Sequence, residues 1–364
     1  KLHMEKIFIE NCCEILDSMR IPITTENREK GPYPYYGANG IQDYVADYIF
    51  NDELVLLAED GGNFGSKDKP IAYRVSGKCW VNNHAHVLKP KSGLNVDYLC
   101  YSLMFYKTDG MVNGATRQKL TQAAMRKMKI PFIPMDEQLN VVNKLNKITK
   151  IKEQREKELK LLDDIIRARF VEMFGDPETN PNGWNECALS EKLNVVGGYA
   201  FKSDGFSEES GIPVLRIGNI NAGLFRPVNL VYWQEDENLD RYAMHPGDLV
   251  MSLTGTVGKD DYGNVCILGD DYDMYYLNQR NAKLEIIEGI DKFYLSQLLK
   301  FEQIKKKLTG ISRGVRQANI SNKDILNLVV PVPPMKLQSQ FADFIKQVNK
   351  SKVILPKSSF NVII

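Results

Sequence analysis

The chain has 364 residues, of which 43% are hydrophobic and 26% charged, and its formal net charge is +1. This length allows two domains with their own cores, and the composition excludes a collagen-like, disordered or disulfide-rich protein. The longest apolar runs are far shorter than the roughly 20 residues that a membrane span requires. We therefore expect a cytoplasmic protein that starts naturally at Met4 and whose six cysteines, which show no metal-ligand spacing, are reduced thiols.

The chain from Met4 to about Phe132 mixes strand-like and helical patterns. Its short apolar runs are separated by Gly, Asn and Pro turns, and Asp97 to Tyr106 has helical spacing. These patterns predict an α+β domain. The strand candidates are Leu54 to Leu57, Ile71 to Val75 and His84 to Leu88.

A single long helix is predicted from Met135 to Phe174. Apolar residues recur every three or four positions, and Gly175 followed by Pro177 is a strong stop signal. At 1.5 Å per residue the helix would be roughly 60 Å long. Its middle, residues 152–158, is nearly all charged, which suits a coiled-coil or solvent-bridging segment.

The second half of the chain repeats the mixed pattern from Trp184 to about Val332. Its strand candidates are Pro213 to Ile217, Leu249 to Leu253, Val265 to Leu268 and Lys283 to Ile287. A second, shorter helix follows and ends no later than Leu355, because Pro356 cannot continue it. We expect the two helices to pack antiparallel. The residues predicted to pack the helices or to form a subunit interface are Val141, Leu145, Ile148, Leu159, Leu162, Ile166, Phe170, Leu337, Phe341, Phe344 and Val348.

One segment occurs twice, two hundred positions apart. Ile130 to Met135 with Gln138 returns as Val330 to Met335 with Gln338. Upstream, four residues match in the same register: Gly114, Arg117, Leu120 and Thr121 correspond to Gly314, Gln317, Ile320 and Ser321. Further upstream the spacing changes slightly. There, residues 52–56 correspond to residues 247–251, and residues 81–88 correspond to residues 277–284. Because this period is far longer than a solenoid repeat, it predicts two copies of a whole domain-plus-helix unit.

The sequence carries no complete catalytic or metal-binding motif. Residues 254–259 resemble a P-loop but lack its first glycine and its final Ser or Thr, so a Gly-rich turn is the better interpretation. His84 and His86 have no third His or Cys nearby, and polar packing is favoured over a metal site. Glu59 and Asp60 could bind Mg²⁺ or accept from cytosine, although an ordinary loop is favoured. We predict no catalytic residue, no metal and no cofactor for this chain.

In the order and spacing of its motifs, the chain resembles the specificity subunits of type I restriction-modification enzymes. The resemblance rests on the Pro-rich exit at residues 130–138, the helix end at residues 169–177, the Asn-Gly-Trp at residues 182–184, and residues 250–259 and 314–321. It implies an α+β fold in which two similar target-recognition domains are joined by long helices packed as an antiparallel coiled coil. The predicted boundaries are 4–133 and 176–333 for the two domains, 134–175 and 334–355 for the helices, and 356–364 for a tail.

The resemblance also implies a function without catalysis in this chain. Each domain would read one half of a bipartite site in double-stranded DNA, and the helices would dock methyltransferase (modification) subunits, which restriction (nuclease-translocase) subunits join. Catalysis and its cofactors would belong to those partners. Because the second helix is short, self-association through exposed helix faces is a further expectation. The alternatives are a protein-binding scaffold and a methyltransferase or nuclease fused to such domains.

The predicted DNA contacts lie in equivalent polar loops and on basic stretches. Arg, Gln and Asn can read G and A edges bidentately, whereas lysines suit phosphates. The candidate base readers are Arg117, Gln118, Lys119, Arg313, Arg316, Gln317 and Asn319; the candidate phosphate contacts are Arg126, Lys127, Lys305, Lys306 and Lys307; weaker candidates on Gly-rich turns are Thr254, Thr256 and Lys259. The helix length is expected to set the unread gap between the half-sites.

Overall fold

The computed structural model describes residues 5–114, 117–220, 222–310 and 317–354. The chain divides into two compact units, and the division falls within the long helix, between Arg155 and Glu156. The predicted domain boundaries differ from this division and stay predictions.

The first unit contains ten strands and four helices among its described residues. The strands are β1 (Lys6–Phe8), β2 (Cys13–Ile15), β3 (Lys30–Gly37), β4 (Gly40–Val45), β5 (Phe50–Ala58), β6 (Ala72–Val81), β7 (Ala85–Pro90), β8 (Val112–Asn113), β9 (Lys119–Leu120) and β10 (Lys129–Pro131). The helices are α1 (Ile9–Cys12), α2 (Val96–Met104), α3 (Gln122–Arg126) and the first part of α4 (Met135–Phe174).

The core of the first unit is a six-stranded sheet in the order β2-β7-β5-β6-β3-β4. Strand β5 is buried on both faces: Leu54 and Leu56 lie in one apolar cluster, and Val55 and Leu57 lie in another that includes α2. A strand covered on both sides reads as a continuous apolar run rather than an alternating one. Helix α2 begins where the Asn95 side chain accepts from two backbone N–H groups of its first turn.

The second unit contains twelve strands and the remaining helices of the described chain. The strands are β11 (Glu186–Ala188), β12 (Leu193–Gly197), β13 (Ile212–Leu215), β14 (Val231–Trp233), β15 (Ala243–Met244), β16 (Leu249–Ser252), β17 (Thr254–Thr256), β18 (Val265–Ile267), β19 (Tyr275–Leu277), β20 (Asn281–Ile286), β21 (Gln317–Asn319) and β22 (Val329–Pro331). The helices are α5 (Lys292–Leu298), α6 (Glu302–Thr309), α7 (Asn322–Leu326) and α8 (Met335–Ile354), together with the last part of α4.

The two units share their strand order. Four strands of the first sheet, β2-β7-β5-β6, correspond to the second unit's sheet β12-β20-β16-β18. The long strand β6 also runs parallel to β3. In the second unit two strands share the pairings of β6: β18 takes its place in the sheet, and β19 runs parallel to β13. The duplication predicted from sequence is therefore a duplication of topology.

The repeated Pro-rich exits have the same structural role in both units. Strand β10 pairs antiparallel with β1 at the start of the first unit, and β22 pairs with β11 at the start of the second. In each unit, the first strand therefore pairs with the strand that directly precedes the helix, α4 or α8. The tyrosine hydroxyls of Tyr98 and Tyr294 donate to the carbonyls of Pro131 and Pro331, which ties α2 and α5 to these exits.

The repeated glutamines are buried clamps between each domain and the helix that follows it. Gln138 and Gln338 are fully buried. The Gln138 Oε1 accepts from the backbone N–H of Asn95, and the Gln338 Oε1 accepts from that of Asp291, at 2.8 and 2.7 Å. Asn95 and Asp291 are the residues that cap α2 and α5. The two glutamines therefore occupy matching positions in the repeat because each makes the same contact within its own domain.

Within the second unit, α8 runs antiparallel to the last turns of α4. The Phe341 ring lies 5.5 Å from that of Phe170 and 5.4 Å from that of Phe174, while Lys352, near the other end of α8, pairs with Asp163. This arrangement agrees with the predicted antiparallel packing. Ile345, which the sequence interpretation left out, is buried in the same cluster.

The residues predicted to pack the helices have different environments. Ile166, Phe170 and Phe341 are buried. The half-buried ones are Val141, Leu145, Leu162, Leu337, Phe344 and Val348. Ile148 and Leu159 are exposed, each at 37%, so their place in a subunit interface stays a prediction. Val142, absent from the predicted set, is an apolar residue of α4 that is buried in the first unit's core. In the described part of the chain, no helix is long and apolar enough to cross a membrane.

Candidate nucleic-acid interface

Three connections of the first unit meet at one edge of its sheet. The Gly61 N–H, after β5, donates to the carbonyl of Gln118 before β9, and the Asn39 side chain, in the β3–β4 hairpin, donates to the Gly61 carbonyl. The Glu59 N–H donates to the His84 carbonyl in the β6–β7 turn. We call these connections, with the β6–β7 turn, the first loop cluster. Backbone hydrogen bonds hold it at a fixed place on the sheet.

Arg117, Asp60 and His84 form the polar surface of this cluster. The Arg117 Nε donates to Asp60 Oδ1 at 2.7 Å, and the His84 Nδ1 lies 3.4 Å from Asp60 Oδ2. The Arg117 side chain is 59% exposed. Asp60 orients one edge of the guanidinium, and the exposed side chain leaves room for a ligand. Such an orienting contact reduces the entropy lost on binding.

A concavity of about 360 Å³, whose lining is partly apolar, adjoins the first loop cluster. Side chains of Gln42, Asn83, His84 and Arg117 line it. The Asn82 amide donates to Gln42 Oε1 at 3.0 Å, which fixes the orientation of that amide. Amide and guanidinium groups of this kind suit the donor and acceptor pattern of base edges.

A buried network lies beneath the first loop cluster. The His86 ring is fully buried, with Nδ1 at 2.7 Å from Asp17 Oδ2 and Nε2 at 2.9 Å from the Leu120 carbonyl. Burial by itself raises the pKa of the Asp17 carboxyl, but hydrogen bonds from His86, Gln122 and the Val87 N–H, together with the charge of His86, hold that pKa below its usual range.

The same network contains a group of possible metal ligands. Asp17, Glu59 and His86 bring ligand atoms within 4.8 Å of one another. However, the Arg20 guanidinium lies 2.6 Å from Glu59 Oε2 and 3.5 Å from Asp17 Oδ2, and Lys119 lies 3.2 Å from the other Glu59 oxygen. Arg20 and Lys119 therefore supply positive charge to these carboxylates, which favours a structural role for the network.

The acid pair Glu59 and Asp60, for which the sequence favours an ordinary loop over a magnesium site, is also paired with basic groups. Glu59 faces Arg20 and Lys119, whereas Asp60 faces Arg117 and His84. Each carboxylate is thus neutralised by cations of its own. The two act as anchors for the loop that carries Arg117 and Lys119.

The second unit has an equivalent edge, which we call the second loop cluster. Strands β17 and β21 pair there as Thr254 with Asn319 and Thr256 with Gln317. The Ile320 N–H donates to the Leu253 carbonyl, as the Leu120 N–H donates to the Glu59 carbonyl in the first unit. Residues 254–259 thus form a strand and turn, as the sequence interpretation favoured.

The predicted DNA contacts are placed unevenly by the structure. Gln118, Lys119 and Asn319 are exposed within the two loop clusters, as are Thr256 and Lys259, and Thr254 is half-buried. Arg313 and Arg316 lie outside the described residues, and only the backbone of Gln317 is described. Lys127 is exposed near the end of α3, whereas Arg126 is half-buried.

The lysines of α6 differ from one another. Lys305 is unsuited to the predicted phosphate contact, because its side chain is only 12% exposed and its ammonium group binds Asp260 and Asn264. It fastens the 257–264 turn to α6 instead. Lys306 is exposed and pairs with Glu302 one turn away, and Lys307 is exposed. Periodicity on a helix could not distinguish these three.

One exposed arginine was missed by the prediction from sequence. Arg280 lies in the β19–β20 turn, at the position that His84 occupies in the first unit. The signal was available, because residues 277–284 had been matched with residues 81–88.

Comparison with known proteins places this chain in a family. The family of type I restriction modification DNA specificity domains matches residues 2–161 and 181–363, and the chain belongs to it. A Haemophilus influenzae protein named as a type I restriction enzyme specificity subunit is 27% identical and aligns with 93% of this chain and 85% of its own. The MjaVIII specificity subunit of Methanocaldococcus jannaschii is 24% identical over 95% of this chain and 86% of its own.

The fold is also found in a solved structure. The S subunit of a type I restriction-modification system from M. genitalium superimposes with a TM-score of 0.54 at 15% sequence identity, covering 97% of this chain and 91% of that one. At this identity the likeness concerns the fold alone. It agrees with two similar domains and long helices.

Proposed function

We propose that this chain is the DNA-specificity subunit of a type I restriction-modification complex, and that each of its domains reads one half of a bipartite site in double-stranded DNA. The observation that carries the proposal is the duplicated loop cluster in a chain of this family. Both clusters stand on the same topology but expose different side chains. Two readers of this kind would recognise two different half-sites.

The chemistry of the exposed side chains supports base readout. Arg117 and Gln118 in the first cluster, and Asn319 in the second, carry the groups that bind G and A edges bidentately. The net charge of +1 argues against a large non-specific electrostatic surface. We therefore expect specificity to come from a few side chains on rigid loops.

The remaining activities are assigned to partner subunits. The helices α4 and α8 would dock methyltransferase subunits, and restriction subunits would join that assembly. Ile148 and Leu159, exposed on α4, are apolar residues available for such docking. The chemistry of methyl transfer and of cleavage would lie in those partners.

Methylome sequencing tests the proposal directly. The chain is expressed with a methyltransferase subunit encoded beside it in a host without other modification systems. A single bipartite motif, absent from the host that lacks this chain, is expected. Methylation without sequence preference, or no dependence on this chain, would refute the proposal.

Binding of S-adenosylmethionine tests the competing catalytic function. Calorimetry on the isolated chain is expected to give no heat of binding. A saturable signal with one site per chain would favour a fused methyltransferase. A salt-dependent shift of duplex DNA by the complex, with a preference for the methylome motif, separates the proposal from a scaffold without a DNA role.

A further inference from the structure

The β6–β7 turn of the first unit and the β19–β20 turn of the second are equivalent positions of the duplicated fold. The Glu59 N–H donates to the His84 carbonyl at 2.9 Å, and the Leu253 N–H donates to the Arg280 carbonyl at the same distance. Each acceptor residue directly precedes the strand, β7 or β20, that lies next to β5 or β16. His84 and Arg280 therefore occupy the same place relative to each sheet.

In the part of the chain that the structure describes, the two clusters carry an exposed arginine on different segments. In the first cluster Arg117 comes from the connection before β9 and reaches Asp60 and the His84 ring. Its counterpart in the second unit is Gln317, which pairs with Thr256 in the β17–β21 ladder. The residue at the place of Asp60 is Thr254, which pairs with Asn319 as Asp60 pairs with Lys119. Among the described residues, the second cluster therefore has its exposed arginine on the turn before β20, next to the segment that matches the Arg117 position.

Arg280 stands on a rigid support. The Asn281 N–H donates to the carbonyl of Asn278, which closes a four-residue turn with Gln279 and Arg280 at its centre. Asn281 is fully buried, and its amide donates to the Leu215 carbonyl at 2.7 Å. Both central residues are exposed. Within the described ranges Arg280 has no carboxylate partner, whereas Arg117 has Asp60.

We infer that Arg280 is a base-reading residue of the second domain, which binds the O6 and N7 edge of a guanine in the half-site that this domain recognises. The inference rests on the proposed function. A guanidinium on a fixed turn, with a second exposed donor and acceptor in Gln279, has the geometry of bidentate major-groove readout. Among the described residues, the exposed arginine of the first loop cluster is Arg117, and Arg280 is the exposed arginine on the turn beside the second loop cluster.

The test uses the complex of the full chain with its methyltransferase subunits. Its affinity is measured by fluorescence anisotropy on the methylome motif and on probes in which one base pair at a time is changed. Arg280→Ala is expected to lower affinity for the motif about tenfold to a hundredfold and to abolish discrimination at one G·C pair of one half-site. Affinity for non-cognate DNA should change less than twofold. Arg117→Ala should relax discrimination in the other half-site only.

Two further variants keep the inference falsifiable. Lys192→Ala removes a charge at the far end of β20, where the Ile287 N–H donates to the Lys192 carbonyl, and it should leave the motif unchanged. Arg280→Lys keeps the charge without the planar fork and should recover discrimination only in part. An equal loss of affinity for all sequences in Arg280→Ala, or full discrimination in either Arg280 variant, would overturn the inference. If the unsubstituted complex has no sequence preference, the proposed function fails instead.

Discussion

Replacing the buried glutamine at the start of either long helix should weaken the contact between that helix and its domain. Gln138 makes three hydrogen bonds, each of 2.8 Å: its Oε1 accepts from the Asn95 N–H, and its Nε2 donates to the carbonyls of Gly93 and Ile133. Its side chain is fully buried. In Gln138→Ala the Asn95 N–H and the carbonyls of Gly93 and Ile133 lose their hydrogen-bond partner in a place with little access to water.

The magnitude follows from these contacts. A hydrogen bond contributes about 1 kcal/mol net, and a buried group left without a partner costs about 1–3 kcal/mol. Gln138→Ala should therefore lower the free energy of unfolding of the first domain by about 3 kcal/mol. Gln338 makes two such bonds, to the Asp291 N–H and the Pro333 carbonyl, so Gln338→Ala should cost the second domain about 2 kcal/mol.

Urea unfolding and hydrogen exchange measure this effect. Two domains need not unfold in one step, so each transition is fitted separately. With a slope of about 2 kcal/mol per molar urea, Gln138→Ala should move the first domain's midpoint by roughly 1.5 M. Exchange should rise first at the N-terminal turn of α2 in Gln138→Ala and of α5 in Gln338→Ala.

Matched controls lie two residues further along, on the exposed faces of the same helices. Asn140→Ala on α4 and Gln340→Ala on α8 remove polar side chains that are exposed. Each should change stability by less than about 0.5 kcal/mol. If Gln138→Ala falls within that range, the clamp contributes nothing to stability and the reasoning is refuted.

Three further predictions concern the core and the helices. Because the pKa of Asp17 is lower in the folded domain than in the unfolded chain, where it is near 4, the ionised carboxylate stabilises the folded domain above that pH. This stability is lost as the pH falls through the folded pKa. Asp17→Asn should therefore destabilise the domain at pH 7 and make its unfolding free energy depend less on pH between about pH 5 and 2, and an unchanged acid profile would contradict this. Phe170→Ala removes a fully buried ring and should cost the second unit about 3–5 kcal/mol in thermal or urea unfolding, against little change for exposed Val171→Ala; equal effects would refute the packing argument. Insertion of seven residues within 152–158 should lengthen the helix by about 10 Å and widen the unread gap of the methylome motif while leaving both half-sites intact; an altered half-site would count against it.

Much of the architecture was predictable because local patterns carry it. Apolar runs identified β5, β16 and β20, and the spacing of apolar residues followed by Gly175 defined α4. The β3–β4 hairpin was missed, since its tyrosines and prolines lack clean alternation. Strand β19, which is three residues long, was also missed. Short strands depend on partners far away in sequence, which periodicity cannot report.

The candidate site was predictable only in part. Arg117, Gln118 and Lys119 were found because they precede a repeated segment. Lys305 and Lys306 are neighbours in sequence, yet one is held by Asp260 and the other is exposed. Which lysine faces solvent depends on the turn packed against α6, and that contact spans 45 residues.

By itself the sequence determined that the protein is a duplicated pair of domains, each followed by a helix, because composition, helix stops and the repeated exit are local and independent of packing. The tertiary structure alone decided what the repeated residues do. Gln138 and Gln338 are buried clamps, and His86 belongs to a closed network. Such roles arise from contacts between segments far apart in the chain, where burial and partner choice are determined by the fold as a whole.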